Sequence, residues 1–231
     1  MTTAALVLHK VCVQHPHCAE PVLRDVSFEI PQGQRVALLG LNGSGKTSLM
    51  MAIAGLVSFS GEIRVQGVAL SPRTVRDVRD HLGVLFNVPE DQLLFPRVLD
   101  DVAFGLLRRH SPVATAHASA IAWLTALGIG DLAEQEIPSL SHGQKQRVAL
   151  AGALVATPGL LLLDEPSAAL DPPARRALAR VLSSLDAAQI LATHDLDFAR
   201  RVCTRTLVLA HGRVAYDGSD PSTVTASWDE D

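Results

Sequence analysis

Short apolar runs alternate with longer amphipathic segments along the chain. This alternation predicts an α/β protein with a largely parallel sheet. Residues 61–66 alternate polar and apolar side chains and predict a half-exposed antiparallel strand, whereas Leu160–Leu163 is uniformly apolar and predicts a buried strand. The other predicted strands are residues 6–8, 22–30, 36–39, 84–86 and 189–192, followed by a pair around Leu207 and Val214 that turns at His211-Gly212.

Helical patterns fill the intervals between these strands. Helices are predicted at residues 46–54, 144–156 and 172–184, the last with two prolines in its first turn, where a missing N–H is tolerated. Between Asn87 and Leu140 the sequence becomes rich in alanine, with Pro112 and Pro138 as helix breakers. We interpret this stretch as a helical insertion in the α/β body.

Composition and charge exclude several classes of function. The chain has 231 residues, of which 48% are hydrophobic, yet its apolar runs are far shorter than the roughly 20 residues of a spanning helix. The 20 basic and 24 acidic side chains give a net charge of −4, so no basic field predicts a nucleic-acid partner. Three cysteines and the lack of a signal-peptide pattern lead us to expect a cytosolic protein that does not cross a bilayer by itself.

A phosphate-binding loop is the strongest chemical signal. The run Gly40-Leu41-Asn42-Gly43-Ser44-Gly45-Lys46-Thr47 fits the pattern G-x-x-x-x-G-K-[ST] between a predicted strand and a predicted helix. Its glycines let backbone N–H groups surround phosphate oxygens, and the helix N-terminus adds partial positive charge. We expect Lys46 to reach the β- and γ-phosphates and the Thr47 hydroxyl to bind Mg²⁺. The loop therefore predicts binding of a nucleoside triphosphate.

Polar residues that follow two other predicted strands supply the elements of hydrolysis. Asp164 and Glu165 end the leucine strand at the edge of the sheet where ligands bind in such folds. Asp164 is expected to complete the Mg²⁺ shell, and Glu165 to orient or deprotonate the attacking water. His194 follows the strand at 189–192 and is expected to face the γ-phosphate.

A further motif, Leu140-Ser141-His142-Gly143-Gln144-Lys145-Gln146-Arg147, precedes the leucine strand by about twenty residues. With it, essentially the whole chain resembles the nucleotide-binding subunit of an ABC transporter. The resemblance implies a P-loop NTPase (RecA-like) core with an antiparallel β subdomain, at residues 1–86 and 144–231, and an inserted α-helical subdomain at residues 87–143. It implies ATP and Mg²⁺ as cofactors, with Ser48 as a further ATP contact beyond the loop.

The resemblance also assigns roles to the remaining motifs. Ser141-His142-Gly143-Gln144 matches the family signature, usually Ser-Gly-Gly-Gln, which closes on the nucleotide of the opposite subunit and so implies a head-to-tail dimer. Ser141 and Gly143 open a predicted helix, so an anion-binding N-terminus fits them, and a helix cap is the alternative interpretation. Residues 167–171, ending at Asp171, match the D-loop, and His194 matches the switch histidine.

A longer segment narrows the subfamily. Leu85-Phe86-Asn87-Val88-Pro89-Glu90-Asp91-Gln92-Leu93-Leu94-Phe95-Pro96, continued by residues 100–105, is similar to the energy-coupling factor ATPases of cobalt/nickel and vitamin importers. His142 with Lys145 favours the metal-ion branch over vitamin uptake. This resemblance implies a transmembrane coupling protein and a substrate-binding membrane component as partners, at the cytoplasmic face of the membrane. The groove around residues 86–104 is the expected docking surface, and the choice between homodimer and heterodimer stays open.

Two positions depart from the family pattern. Asn87 replaces the Q-loop glutamine with an amide that is one methylene shorter, and we expect it to reach Mg²⁺ or the attacking water, with Gln92 as the alternative. His15 stands where an aromatic residue stacks on adenine, which leaves the choice between ATP and GTP open. Asn87 also suggests an alternative function, a nucleotide-gated regulatory module without efficient turnover. We do not expect an ATPase head for DNA repair or translation, since such a head needs a long coiled coil or a second head that would not fit in 231 residues.

A cluster of possible metal ligands lies near the N-terminus, at Cys12, His15, His17 and Cys18. It falls in the loop that is expected to flank the adenine, and Cys12 belongs to a β-rich run. We therefore interpret these residues as part of the nucleotide-binding region and not as a metal site.

Overall fold

The computed structural model describes residues 4–16 and 20–219, and they form two compact units. Unit 1 comprises the chain up to Leu82, residues 159–162, and the chain from Asp186 onward; unit 2 comprises residues 83–158 and 163–185. In chain order the strands are β1 (Ala4–Val13), β2 (Leu23–Pro31), β3 (Arg35–Leu39), β4 (Ser60–Val65), β5 (Val68–Ala69), β6 (Leu82–Leu85), β7 (Leu160–Asp164), β8 (Ala188–Ala192), β9 (Arg205–Ala210) and β10 (Arg213–Gly218). The helices are α1 (Lys46–Ile53), α2 (Val75–Asp80), α3 (Val98–Leu107), α4 (Val113–Ala126), α5 (His142–Leu154), α6 (Pro172–Ser183) and α7 (Leu196–Val202), and short 3₁₀ turns lie at Pro89–Asp91, Gly130–Leu132 and Ile137–Ser139.

Unit 1 contains a four-stranded antiparallel sheet in the order β2-β1-β4-β5. Along β4, Ile63 and Val65 are buried while Arg64 between them is exposed, so the predicted half-exposed strand is confirmed. A tight turn at Gln66-Gly67, with both residues in the left-handed region, joins β4 to β5. That turn geometry matches the twist of an antiparallel hairpin.

The second sheet has six strands in the order β10-β9-β3-β8-β7-β6. The predicted phosphate loop follows β3, Glu165 follows β7, and His194 follows β8. In unit 1, β3 runs parallel to both β8 and β9, with Val36 opposite Ile190 and Arg205. Every residue of β7 and β8 is buried, as expected for strands covered on both faces. The predicted α/β class with a largely parallel sheet is therefore confirmed.

Unit 2 is mainly helical, with α3 packed against both α4 and α5. Its core uses small side chains, because Ala103, Ala116 and Ala120 are fully buried and allow the helices to approach closely. At Gly105 on α3, a Cβ atom would lie 3.1 Å from Val155 Cγ1, which is closer than an ordinary contact. No helix among the described residues is long and apolar enough to span a bilayer.

Several elements differ from the sequence predictions. The short α2 and β5 were not predicted, and β6 begins and ends earlier than the predicted residues 84–86. Helix α5 begins at His142 and not at Gln144, because Ser141 caps it. The proposed subdomain ranges, 1–86 with 144–231 and 87–143, stay a prediction.

Candidate functional site

The predicted phosphate loop lies between β3 and α1 in unit 1, and its conformation requires glycine. Gly40, Gly43 and Gly45 all have positive φ. A Cβ atom on Gly40 would collide with the Leu209 carbonyl, and one on Gly45 would lie 2.6 Å from Leu23 Cδ2. The backbone therefore passes where no side chain fits, as a loop that presents N–H groups to phosphate oxygens requires.

Lys46 closes this loop from its own helix. The ammonium group is buried and donates hydrogen bonds to the carbonyl oxygens of Gly40 at 2.6 Å and Leu41 at 3.2 Å. Ser44 is buried beside it, and its hydroxyl has no hydrogen-bond partner within the described ranges of the chain. The loop thus holds a fixed cation and a buried hydroxyl, both suited to an anionic ligand.

The structure places His194 at the same edge of the sheet as the phosphate loop. In the parallel register Leu38 lies opposite Ala192, so Gly40 and His194 each follow two residues after a paired position. The backbone around His194 is fixed, since Asp195 N donates to Thr193 Oγ1 at 3.1 Å and the Asp195 carboxylate caps α7 through Phe198 N at 2.9 Å. His194 itself is exposed, and its position is consistent with the predicted role toward a phosphate.

His15 is brought to the first turn of α1. Its Nε2 atom lies 3.0 Å from Ser48 Oγ, and both residues are half-buried. The two predicted ATP contacts outside the loop are therefore joined by a hydrogen bond. Of the N-terminal cluster, His17 and Cys18 lie outside the described residues, while Cys12 Sγ accepts a hydrogen bond from Asp25 N at 3.2 Å. Within the described residues no group of three or more His, Cys, Asp or Glu side chains is arranged to hold a metal.

The acidic strand end lies in unit 2. Asp164 is 4% exposed, and Glu165, half-buried, has a left-handed backbone with φ of 50°. The Glu165 carbonyl accepts hydrogen bonds from Gln146 Nε2 at 2.7 Å and from Ala168 N at 3.2 Å. Sequence reasoning gave Gln146 no role, although its position four and eight residues before Leu150 and Leu154, on the buried face of α5, could have indicated a buried side chain.

Two oxygen donors fit the predicted Mg²⁺. A buried carboxylate such as that of Asp164 is stable only with donors or a cation, and a hydroxyl such as that of Thr47 is an accepted Mg²⁺ ligand. Hard oxygen ligands of this kind are the donor set that Mg²⁺ prefers. In its donor chemistry, each of these two residues therefore fits the ion.

The signature residues begin α5 and form a capping box. Gln144 N donates to Ser141 Oγ at 3.3 Å, and Ser141 N donates to Gln144 Oε1 at 2.8 Å. Ser141 therefore caps α5, and whether the motif also contacts a nucleotide or serves only as a cap stays a prediction. Gly143 lies against the D-loop segment, where a Cβ atom would be 2.7 Å from the Ala169 carbonyl oxygen. Asp171 ends that segment and caps α6 by accepting from Ala174 N at 2.8 Å.

The second signature residue takes part in a charged cluster. His142 Nδ1 lies 3.3 Å and Lys145 Nζ 3.4 Å from the same carboxylate oxygen of Glu90. A hydrogen bond from its own backbone N–H, followed by the contacts with His142 and Lys145, holds the pKa of Glu90 below its usual range. The cluster joins the start of α5 to the 3₁₀ turn at Pro89–Asp91.

The structure separates the two residues considered for the Q-loop role. Gln92 Oε1 accepts from Phe86 N at 2.7 Å, and Gln92 Nε2 donates to Val84 O at 2.9 Å. Its amide is thus bound to the end of β6, which removes Gln92 as a substitute for the missing glutamine. Asn87 is exposed and remains the residue proposed for the role.

An apolar patch, defined as Val88, Leu94, Phe95 and Phe104, lies on unit 2. Leu94 is 68% exposed, and the rings of Phe95 and Phe104 pack with centroids 5.2 Å apart. Asp101 fixes this turn by accepting from Leu94 N at 2.6 Å and Phe95 N at 2.9 Å, and burial raises the pKa of its carboxyl. An exposed patch of this kind is typical of a surface that a partner covers.

Comparisons with known proteins agree with these motifs. A family model described as ABC transporter matches residues 23–168. SCO3161 of Streptomyces coelicolor, named as an ABC transporter ATP-binding protein, is 41% identical over 194 residues, covering 84% of this chain and 75% of the relative. The energy-coupling factor transporter ATP-binding protein EcfA1 of Levilactobacillus brevis is 38% identical over 229 residues, covering 97% and 81%.

Solved structures extend the likeness to the whole fold. CbiO1 from Clostridium perfringens, described as part of the ABC transporter complex cbiONQ, superposes with a TM-score of 0.82 at 31% identity, covering 99% of this chain and 93% of that one. The ATP-binding cassette MJ0796, in a dimeric post-hydrolysis state bound to ADP and Pi, gives 0.85 at 25% identity, covering 93% and 98%.

Proposed function

The chain belongs to the ABC transporter family and is an ATP-binding, ATP-hydrolysing subunit, and we propose that it powers a membrane importer of the energy-coupling factor type. The observation that carries the proposal is the phosphate loop, closed by Lys46, at the same edge of the parallel sheet as His194. The likeness to EcfA1 and to cbiO1 over nearly the full chain supports the importer class.

Each site residue has a proposed chemical task. Lys46 and the loop N–H groups bind the β- and γ-phosphates, and His15 with Ser48 contacts the nucleotide beside α1. Glu165 orients the attacking water and accepts its proton, while His194 contacts the γ-phosphate. Thr47, Asp164 and Asn87 are the residues that would hold Mg²⁺, and the bound ion would neutralise charge on the phosphates.

The working form that we propose is a dimer. The signature Ser141-His142-Gly143-Gln144 of one subunit closes on the nucleotide of the other, with Asp171 in the adjoining D-loop. The dimeric MJ0796 cassette supports this assembly, since it covers 93% of this chain at a TM-score of 0.85. ATP closes the dimer, and hydrolysis with product release reopens it.

The apolar patch supports a membrane partner. Val88, Leu94, Phe95 and Phe104 are exposed, and Asp101 holds the turn that presents two of them. We propose that helices of a transmembrane coupling protein cover this patch, which places the subunit peripherally at the cytoplasmic face of the membrane. A separate membrane component binds the substrate. Cobalt or nickel is the proposed cargo, with a vitamin such as biotin as the alternative.

Glu165→Gln tests the catalytic proposal. The variant keeps the size of the side chain but cannot accept a proton, so ATP binding and ATP-driven dimer closure should persist while phosphate release stops. Glu136→Gln is the matched control, because it makes the same change at an exposed position of unit 2. Substantial phosphate release by Glu165→Gln would remove Glu165 from its assigned role.

The membrane partners distinguish the remaining alternatives. The membrane proteins that co-purify with the tagged chain should include a coupling protein and a substrate-binding component, and uptake of radioactive cobalt or nickel should require all three. Biotin uptake in place of metal uptake would favour the vitamin branch. If the wild-type chain releases no phosphate, alone or with its membrane partners, the regulatory module that Asn87 suggests is the better interpretation.

A further inference from the structure

Gln146 is a buried polar residue that the proposed catalytic machinery does not yet use. It lies on α5, is 3% exposed, and donates from Nε2 to the main-chain oxygen of Glu165 at 2.7 Å. Because a carbonyl oxygen can only accept, this contact fixes which end of the Gln146 amide carries the nitrogen.

The acceptor belongs to a residue in an unusual conformation. Glu165 has φ of 50°, a left-handed backbone that a non-glycine residue rarely adopts. Its carbonyl oxygen also receives the Ala168 N–H, but at 3.2 Å. The shorter hydrogen bond from Gln146 is therefore the better-formed restraint on the Glu165 peptide, and the direction of the Glu165 side chain depends on that peptide.

The other end of the same segment also contacts α5. Gly143, in the first turn of the helix, lies so close to the Ala169 carbonyl that a Cβ atom would be 2.7 Å from its oxygen. Helix α5 thus contacts the segment between Glu165 and Ala169 at both ends, through Gly143 and Gln146. The signature residues and the backbone of Glu165 are consequently held by one helix.

We propose that Gln146 is a positioning residue for hydrolysis: it holds the Glu165 backbone in its left-handed conformation and so sets the direction of the catalytic carboxylate. This inference rests on the proposed role of Glu165. In the proposed dimer, α5 touches the nucleotide of the partner through its signature residues while Gln146 holds the Glu165 of its own chain. Gln146 therefore couples closure at one site to the geometry of water activation at the other.

A purely structural role for Gln146 and a positioning role predict different relations between turnover and stability in Gln146→Met. Gln146 Oε1 is buried and has no hydrogen-bond partner in the part of the chain that the structure describes. An apolar side chain of similar length removes this unsatisfied oxygen, so Gln146→Met should not reduce the midpoint of urea unfolding. If Gln146 only fills space, turnover should follow stability, and if it positions Glu165, the two should separate.

Three variants test the inference. Gln146→Met removes the donor, Gln146→Glu replaces it with an acceptor facing the Glu165 carbonyl, and Gln135→Met makes the first change at an exposed position of unit 2. We expect kcat for phosphate release to fall about tenfold in Gln146→Met and further in Gln146→Glu, since about one hydrogen bond's contribution corresponds to tenfold. The KM for ATP should change less than about twofold, and Gln135→Met should match the wild type.

The outcomes separate this inference from the proposed function. Gln146→Met with wild-type kcat, or with kcat and unfolding midpoint reduced together, overturns the positioning role. If the wild-type chain binds ATP but does not hydrolyse it, the proposed function fails. Amide hydrogen exchange then tests, without turnover, whether Gln146 restrains the Glu165 backbone. The Ala168 amide, which bonds the same carbonyl, should exchange faster in Gln146→Met than in the wild type, and an unchanged rate refutes the restraint.

Discussion

Replacing Gly143 with alanine tests the close approach of α5 to the D-loop segment, and α5 supplies its own control. At Gly143 an added Cβ would lie 2.7 Å from the Ala169 carbonyl oxygen, whereas at Gly152 on the same helix nothing lies within 4 Å of the added atom. Both changes replace glycine by the best helix former. Only one of them introduces a clash.

The two magnitudes follow from helix propensity and packing. Alanine is favoured over glycine within a helix by about 0.5–1 kcal/mol, so Gly152→Ala should raise the free energy of unfolding by about that amount. The gain is smaller in the first turn, where Gly143 lies, and an overpacked contact costs about 1–3 kcal/mol. The Ala169 oxygen belongs to the main chain and cannot move by a rotamer change, so we expect Gly143→Ala to lower the free energy of unfolding by about 1–2 kcal/mol.

Turnover should respond more strongly than stability. The clash moves the α5 N-terminus away from the segment that begins at Glu165, by a few tenths of an ångström or more. Misplacement of about 1 Å in a catalytic site can cost about 100-fold in rate, so phosphate release should fall about 10- to 100-fold in Gly143→Ala. Gly152→Ala should keep the wild-type rate.

Urea unfolding and a steady-state phosphate assay on the three proteins complete the experiment. The reasoning fails if Gly143→Ala unfolds at the same urea concentration as Gly152→Ala and keeps full turnover. A stable Gly143→Ala with low turnover would show instead that the signature glycine acts on the nucleotide and not through Ala169.

Two further predictions concern ionisable groups. Burial raises the pKa of the Cys203 thiol to about 12, so this thiol stays protonated at pH 8. Iodoacetamide should therefore modify Cys12 in the native protein but Cys203 only after unfolding. Detection of labelled Cys203 by mass spectrometry of the native protein would contradict this prediction. The lowered pKa of Glu90 means that its ionised form is favoured in the folded state, so its contribution is present above the usual glutamate pKa of about 4.3 and is lost as the pH falls below it. Glu90→Gln should therefore lower the free energy of unfolding at pH 7 by at most about 1 kcal/mol, because the contacts of Glu90 with His142 and Lys145 are largely exposed. In urea titrations, the difference between variant and wild type should shrink below about pH 4.3. A difference that does not depend on pH would exclude these charged contacts as its cause.

The amino-acid sequence was sufficient wherever one short stretch carries both the pattern and the chemistry. The phosphate loop from Gly40 to Thr47 is contiguous, and Gly40, Gly43 and Gly45 have the positive φ that such a loop requires. The four leucines of β7, Leu160 to Leu163, predict a buried strand, and all four are buried in the structure, since a strand covered on both faces has no polar side. Local pattern and tertiary structure agree at these positions because the same few residues determine both.

Short polar elements were harder to predict. Helix α2, with the sequence Val-Arg-Asp-Val-Arg-Asp, has only Val78 fully buried, so its apolar stripe is too short to give a clear helical period. The start of α5 was placed two residues too late because the capping box, and not the apolar pattern, begins the helix. Such boundaries depend on single hydrogen bonds.

Only the tertiary structure decided which partners the side chains around the predicted site have. The sequence leaves Gln92 as an alternative for the Q-loop role, whereas in the structure its amide is hydrogen-bonded to the main chain of Val84 and Phe86. Gln146 had no predicted role, yet it contacts the Glu165 carbonyl nineteen residues away in sequence. A sequence determines such partners only through the packing of whole elements, because residues far apart in the chain meet where helices and strands are brought together. The motifs therefore predict which chemical groups the chain carries, while the fold determines where those groups lie and what they contact.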